Sequence, residues 1–318
     1  MNFNYDNPDF FILYSANWYP LFSSKKIRKP ILTLNRCILI KITLYHLIFL
    51  SCYLEVNSQG IADAIGARYL ALGAYSLQHA DVYATRGNPA SLAQLKQPAV
   101  AVYGENRFLL PELNLFAASI GYTTTSGNFA LHGTYFGFNL SNQTKMSLAY
   151  GRKMSSKVDA GVSFDLHQLS QGRFYGKATA ITGTAGVLLH LTEKIHAGIN
   201  VFNPIHAAYD KENVERLPSQ YNFGIGFDVS DKLYISTELV KAEGHHVSVN
   251  AGMQYQFVKS FFIRAGIATL TANYFTGLGF ILGDFRLDIA TSYHPQLGFS
   301  PGLLLLYEFG TKKKEVTE

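Results

Sequence analysis

The stretch Val158-Asp-Ala-Gly-Val-Ser-Phe-Asp-Leu-His167 alternates apolar and small or polar residues without exception. One set consists of Val158, Ala160, Val162, Phe164 and Leu166, and the other of Asp159, Gly161, Ser163, Asp165 and His167. Successive side chains of a β-strand point to opposite faces. This period of two therefore predicts a strand with one apolar face and one polar face.

The same alternation recurs from residue 99 to residue 309, and it predicts an all-β domain. Clear repeats occur at 195–201, 221–229, 247–257 and 285–293. We place fourteen strands, at 99–106, 112–124, 128–138, 143–153, 157–170, 176–191, 194–202, 219–229, 232–241, 246–257, 260–270, 273–283, 284–295 and 301–309.

Two architectures produce such strands: a soluble antiparallel sheet with an apolar core, and a membrane barrel whose apolar face meets lipid. The polar face here holds mainly Gly, Ser, Asn, Gln and Asp, whereas a water-exposed sheet presents Lys, Glu and Arg. Small polar residues suit a hydrated lumen of limited width. Many units have roughly the 9–11 residues that a tilted strand needs to cross a bilayer. The sequence favours a transmembrane antiparallel β-barrel of about 14 strands, with a soluble β-sandwich as the alternative.

The connections between the predicted strands alternate in length. Short breaks lie at 126–127, 155–157, 192–194, 230–232, 258–260 and 283–284, and most of the breaks between them are longer, such as 105–111 and 203–219. Outer-membrane barrels have short periplasmic turns and longer outer loops. This parity predicts that both ends of the barrel chain lie in the periplasm.

Residues 1–59 read as a leader whose start is over-extended. All 27 glycines lie from Gly60 onward, and basic residues between Lys25 and Lys41 precede an apolar run at 42–54. A basic region before a short apolar run is typical of a secretory signal peptide. An uncleaved anchor and a lipoprotein modified at Cys52 are the alternatives. The remainder is nearly neutral and has no basic block, which argues against a nucleic-acid partner.

Residues 60–98 are rich in small residues and do not alternate. We therefore divide the chain into the leader, an N-terminal plug or hatch segment at 60–98, the barrel at 99–309 and a short polar tail at 310–318. A segment of this composition can fold into the lumen as a plug, and it can equally lie in the periplasm as a docking arm.

Several N-terminal motifs resemble those of a known family. The motifs are Gly66-Ala67-Arg68, Ala71-Leu72-Gly73-Ala74, His79-Ala80-Asp81 and Asn88-Pro89-Ala90-x-Leu92-Ala93. They resemble the N-terminal pattern of the PorV/PorQ outer-membrane proteins, distant relatives of the FadL long-chain fatty acid transporters. The resemblance implies a 14-stranded barrel with an inserted N-terminal segment. It also implies one of two roles, in uptake of hydrophobic compounds or as an accessory of the type IX secretion system.

The candidate site residues fall into three groups. The plug motif comprises Arg68, Asp81, Asn88 and Pro89; a candidate apolar ligand pocket comprises Leu70, Leu72 and Tyr75; and the lumen charges are Asp159, Asp165, Glu238, Arg264, Arg286 and Asp288. Because the charges have mixed signs, we expect ion pairs between plug and wall rather than a ring that selects ions.

Enzymatic function is not expected. His246, Ser248 and Asn250 share one predicted strand face, but alternate residues of a strand stand about 7 Å apart. Hydroxyl and imidazole groups need roughly 2.6–3.2 Å for catalysis. The histidine spacings indicate no metal site, and no motif indicates a cofactor. We therefore predict that the protein is not an enzyme and binds neither a cofactor nor a metal ion.

The sequence leaves two functional hypotheses. The first is passive transport of a small, largely apolar solute, gated by the plug. The second is a non-catalytic accessory component of a type IX secretion-like apparatus, with Asn203–Ser219 as the partner surface. The expected partners are outer-membrane lipid and either hydrophobic small molecules or secretion-system proteins. An apolar pocket bounded by the plug would favour transport.

Overall fold

The computed structural model describes residues 66–70, 72, 81–172, 176–209 and 216–310. The predicted leader, Tyr75 and the residues from 311 onward lie outside the described residues. The fourteen strands are β1 Ala99–Asn106, β2 Asn114–Thr124, β3 Gly127–Phe138, β4 Ser141–Lys153, β5 Val158–Gln171, β6 Lys177–His190, β7 Ile195–Phe202, β8 Gln220–Asp228, β9 Leu233–Ala242, β10 Ser248–Val258, β11 Phe261–Ala268, β12 Asn273–Leu282, β13 Phe285–His294 and β14 Gly298–Glu308.

Each strand pairs antiparallel with its neighbours in the chain, and β1 pairs with β14 to close a barrel. Tyr103 of β1 lies opposite Leu304 of β14 at this closure. A closed barrel has no free sheet edge, so the strands satisfy one another's backbone hydrogen bonds. The predicted fold class and the count of fourteen strands are confirmed.

The two faces of the strands are sorted as the alternation predicts. On β5, Val162 and Phe164 expose 44% and 67% of their surface on the outside, whereas Asp159 and Asp165 expose 1% and 3%. An apolar exterior around a polar interior is the reverse of the arrangement in a soluble β-sandwich, whose apolar faces lie inside. The closed barrel excludes the β-sandwich alternative.

Aromatic side chains lie near both ends of the outer surface. Phe285 and Tyr307 are paired at 4.6 Å between ring centroids near the short-turn end, and Tyr293 and Phe299 are paired at 4.8 Å near the other end. Such aromatic girdles mark the two membrane interfaces of outer-membrane barrels. No helix in the described part of the chain is long and apolar enough to span a membrane.

The connections do not all have the predicted lengths, because the β4–β5, β6–β7 and β8–β9 turns have four residues each, as many as the β11–β12 connection at 269–272. The β3–β4 connection consists of residues 139–140, and the β13–β14 connection consists of residues 295–297 because β14 begins at Gly298. Both were predicted to be longer. The β1–β2 loop bends back onto the barrel mouth, where the Phe108 amide donates to Ser300 Oγ at 2.9 Å. Phe108 and Leu109 adopt positive φ angles in this bend.

The described part of the plug lies inside the barrel. It contains a short helix, α1 (Gly66–Leu70), and two 3₁₀ segments, Ala84–Arg86 and Pro89–Gln94. Asn88 caps the second segment, because its side chain accepts a hydrogen bond from the Ala90 amide at 3.0 Å. Helix α1 packs against β12–β14, whereas the Pro89–Gln94 segment packs against β3–β6.

An apolar cluster joins the plug to one side of the wall. Buried plug residues Val82, Tyr83 and Leu92 belong to the same cluster as Tyr103 of β1 and Leu306 of β14. Burial of such side chains stabilises the contact by about 1.5–3 kcal/mol each. Apolar packing therefore holds part of the plug against the wall.

Candidate functional site

A row of three glycines forms the seat on which the plug lies. Gly151, Gly161 and Gly186 stand directly opposite one another on β4, β5 and β6. A Cβ atom on Gly161 would lie 2.5 Å from the Ala90 nitrogen, and one on Gly151 would lie 2.6 Å from Leu92 Cβ. Only glycine permits so close an approach of the plug to the wall. We call these three residues the glycine seat.

Two asparagines continue the same row of the barrel and bind the plug backbone at both ends of the seat. Asn128 lies opposite Gly151, and Asn200 lies opposite Gly186. The Asn128 amide donates to the carbonyl groups of Leu92 and Leu95 at 2.7 and 2.9 Å. The Asn200 amide donates to the Gly87 carbonyl. The wall thus satisfies plug carbonyl groups that have no partner in a sheet.

A buried carboxylate connects α1, the following segment and the wall. Asp81 Oδ2 is 3.2 Å from Arg68 Nη1, 3.1 Å from the Tyr69 hydroxyl and 3.2 Å from Arg286 Nη1 of β13. Its Oδ1 accepts hydrogen bonds from the Tyr83 and Ala84 amides at 2.9 and 2.8 Å. Asp81 therefore orders the plug locally and also attaches it to the barrel.

The same ionic network extends along the wall. Arg286 lies 2.7 Å from Asp288 Oδ2, and Arg264 Nη1 lies 2.6 Å from Asp288 Oδ1. Arg264 also donates to Gln254 Oε1 at 2.7 Å. We call the set Arg68, Asp81, Arg264, Arg286 and Asp288 the ionic latch. Its charges alternate in sign, as buried charges must if each is to be compensated.

Tyr69, whose hydroxyl contacts Asp81 of the ionic latch, is buried, and burial changes its pKa. Burial raises the pKa of the Tyr69 phenol well above its ordinary value of 10.0, and the neighbouring Asp81 charge raises it further. Tyr69 belongs to α1 and not to a strand. Its hydroxyl is thus protonated near neutral pH and donates to Asp81.

Two further polar groups attach the plug to the wall. His132 of β3 bonds through Nε2 to the Thr85 hydroxyl at 2.8 Å and through Nδ1 to the Ser119 hydroxyl at 2.7 Å. At the far end of the plug, Gln94 donates to Asp159 Oδ2 at 3.1 Å. Asp159 also contacts His190 Nε2 at 2.8 Å. Asp159 is thus the second predicted lumen charge, after Arg286, that holds the plug.

Of the six predicted lumen charges, Asp159 and Arg286 contact the plug directly, through Gln94 and Asp81. Asp165 faces Lys145 at 3.8 Å, on the wall beside the plug. Glu238 lines a small cavity together with Asn88, Asn200 and Asn222. A second small cavity is polar and is lined by Thr85, Arg86, His132, Lys145, Ser147, Ser163 and Asp165.

The proposed apolar pocket is not formed by the described residues. Leu70 belongs to the apolar cluster, and the Leu72 backbone lies directly over Gly252 of β10. Both leucines are buried against the wall, and Tyr75 lies outside the described residues. Because Tyr75 is one of the three predicted pocket residues, the apolar pocket stays a prediction.

Sequence reasoning placed His246 wrongly. It precedes β10 and is exposed, whereas Ser248 and Asn250 lie in the strand. Ser248 and Asn250 also contact each other at 2.7 Å, because their side chains lean along the strand. The expected separation of about 7 Å holds for the backbone and not for these side-chain tips. Among the described residues, no group of three His, Cys, Asp or Glu residues is arranged to hold a metal ion.

Sequence reasoning also missed the glycine seat, Asn128, Asn200 and His132 as plug contacts. The only available signal was their position on the inward face of a predicted strand. That signal is shared by many residues of the wall, and it identifies no partner.

The barrel is similar to solved transport proteins. The Ralstonia pickettii toluene transporter TbuX matches with a TM-score of 0.60 at 13% identity, over 77% of this chain and 98% of that chain. The CymD monoaromatic hydrocarbon channel matches with a TM-score of 0.59 at 12% identity, over 77% and 97%. A Pseudomonas aeruginosa FadL homologue matches with a TM-score of 0.56 at 12% identity, over 80% and 100%.

At these identities the similarity establishes the fold alone. No protein-family model and no curated protein sequence matches the chain. The chain therefore has the fold of FadL-type barrels, while the PorV/PorQ assignment stays a prediction from the N-terminal motifs.

Proposed function

We propose that this chain is an outer-membrane channel for the passive passage of small, largely apolar solutes, with residues 60–98 as its gate. The apolar exterior with aromatic residues near both ends supports the membrane location. The fold shared with a toluene transporter and a monoaromatic hydrocarbon channel supports the apolar class of solute.

The observation that carries the proposal is the way in which the plug is attached. None of its described residues belongs to a barrel strand, and the wall holds it through side chains, at Asn128, Asn200, His132 and Arg286. These contacts can break while the strand ladder stays intact, and the ladder is what keeps a barrel in the membrane. The plug can therefore move without unfolding the barrel.

In this proposal the described conformation is the closed one. Leu70 and Leu72 are buried, and the two cavities beside the plug are small, the one beside Thr85 and Asp165 being polar. An apolar solute gains little from a polar cavity, because polar groups there would lose hydration without new hydrogen bonds. Passage accordingly requires displacement of the plug.

Deletion of residues 60–98 tests the gate. The shortened barrel should still insert and show heat-modifiable migration in detergent gels, and its conductance in planar bilayers should rise. The point variant Asp231→Asn, in an exposed turn, is a matched control that should conduct as the parent does. Unchanged conductance after the deletion would mean that the segment is a periplasmic arm.

A reversible cross-link distinguishes a plug that gates transport from a plug with a purely structural role. The double variant Thr85→Cys/His132→Cys places thiols on plug and wall, at positions that are in contact in the parent. The chain from residue 60 onward has no native cysteine. Bridging the pair with a short thiol-specific cross-linker should abolish toluene uptake, and reduction should restore it. If the cross-link left toluene uptake unchanged, the plug would not be a gate.

The accessory role in type IX secretion stays a prediction. Its proposed surface, Asn203–Ser219, is anchored at its base, where Ser219 Oγ donates to the Asn203 carbonyl at 2.7 Å. Ile205 in this loop is exposed. Replacing Ile205 with Asp should leave toluene uptake unchanged if the channel proposal is right.

A further inference from the structure

Three consecutive short turns of the barrel share a sequence pattern and a backbone geometry. They read Met154-Ser-Ser-Lys157, Leu191-Thr-Glu-Lys194 and Val229-Ser-Asp-Lys232. In each turn the hydroxyl that follows the apolar residue accepts a hydrogen bond from the lysine amide, at 3.2, 3.2 and 3.4 Å respectively. The lysine thus occupies the same position in all three turns.

The next short turn around the barrel also carries a lysine, Lys259 after Val258. We call Lys157, Lys194, Lys232 and Lys259 the lysine arc. All four are exposed, and none forms an ion pair with another described residue. The other two short turns, 125–126 and 283–284, contain neither Lys nor Arg. These four turns carry four lysines against two acidic residues, Glu193 and Asp231, whereas the turn at 283–284 carries Asp284 and no lysine. Positive charge therefore predominates on this side of this end of the barrel.

The surroundings of the lysine arc indicate a lipid surface. Each of its lysines follows an exposed apolar residue, which is Met154, Leu191 or Val229 of the same turn or Val258 at the end of β10. Met154, Leu191 and Val229 directly follow the ends of β4, β6 and β8, so they border the apolar outer surface of the barrel. A lysine in such a position keeps its stem in apolar surroundings and places its amine at headgroup depth. A soluble acidic protein would have to cover the four apolar residues as well.

We propose that the lysine arc binds the phosphate groups of anionic phospholipids in the periplasm-facing leaflet. The inference rests on the membrane location given in the proposed function. Neighbouring turns are two strands apart, roughly 10 Å, so each lysine is positioned to meet its own headgroup. A lysine near an anionic membrane surface strengthens binding about fivefold. The arc thus holds a shell of anionic lipid on one side of the barrel.

Native mass spectrometry of the full barrel from mixed phosphatidylglycerol and phosphatidylcholine micelles tests this. The parent should retain phosphatidylglycerol in preference to phosphatidylcholine. The variant Lys157→Gln/Lys194→Gln/Lys232→Gln/Lys259→Gln should lose at least about tenfold of that preference. For a matched comparison, Lys194→Gln/Lys232→Gln should reduce the preference, whereas Lys177→Gln/Lys241→Gln at the opposite end should not.

Three results would overturn the proposal. The first is equal retention of the two lipids by the parent, and the second is an equal loss in both double variants. The third is lysine-dependent binding of polyglutamate without preference for phosphatidylglycerol, which would make the arc a docking surface for an acidic polypeptide. Heat-modifiable migration of the same samples confirms that each variant is folded. A failure of solute transport with intact lipid preference would count against the channel proposal alone.

Discussion

Asp81 of the plug and Arg286 of β13 form a 3.2 Å ion pair across 205 residues of sequence. Asp81 is almost completely buried, and Arg286 also binds Asp288 of its own strand. The pair therefore connects the position of the plug to a charge network of the wall.

Replacing Asp81 with Asn should weaken this connection. Removal of one partner from a buried ion pair costs about 3–5 kcal/mol, because the remaining charges are uncompensated. Arg68 and Arg286 would lose their shared carboxylate. We expect more frequent channel openings in planar bilayers, with heat-modifiable migration retained. A variant with the parent's opening frequency would show that the ionic latch does not hold the plug.

Adding one methyl group to the glycine seat should displace the plug. In Gly161→Ala the new Cβ would lie 2.5 Å from the Ala90 nitrogen, which is part of the backbone and cannot rotate away. We expect faster tryptic cleavage after Arg86 and higher conductance. The control is Gly183→Ala on the neighbouring strand β6. Its added Cβ would lie 3.5 Å from the nearest atom, the Ser163 carbonyl oxygen. Equal effects of the two substitutions would contradict the conclusion that the glycine seat positions the plug.

Charged substitutions should distinguish the two faces of β5. Val162 is exposed on the outside, so Val162→Arg should cost about 2–4 kcal/mol near the bilayer midplane and impair assembly. Ser163 is buried in the lumen and lines a polar cavity, so Ser163→Arg should assemble normally and narrow that space. The folded fraction on semi-native gels measures both. Equal losses would refute the assignment of the faces.

The attachment of the plug should weaken in alkali through Tyr69. Its pKa in the folded protein is raised above 10.0, so its contribution is complete below pH 10 and declines as the pH rises above that value. Single-channel openings should become more frequent above about pH 10 in the parent. Tyr69→Phe lacks the titrating hydroxyl, so its opening frequency should change less over the same range. A parallel pH response in the two proteins would assign the effect to other groups.

Several features of the molecule follow from the sequence alone, because they are local. Alternation fixes the faces of a strand within a few residues of itself, as in Val158–His167, where the two sets separate in the structure as predicted. Because successive strands run in opposite directions, the series of fourteen strands also determines which connections lie at the same end of the barrel. The loop lengths do not follow from the sequence alone, since the start of β14 at Gly298 depends on its pairing with His294.

The partners of the plug were decided only by the tertiary structure. The sequence indicated that Asp81 and Arg68 need opposite charges, but it did not indicate that Arg286 supplies one. Likewise, Asn128 and Asn200 bind the plug because the register of β3 to β7 sets them in one row with the glycine seat. Register and closure are properties of the whole barrel, since each depends on every intervening strand pair. No short stretch of sequence contains that information.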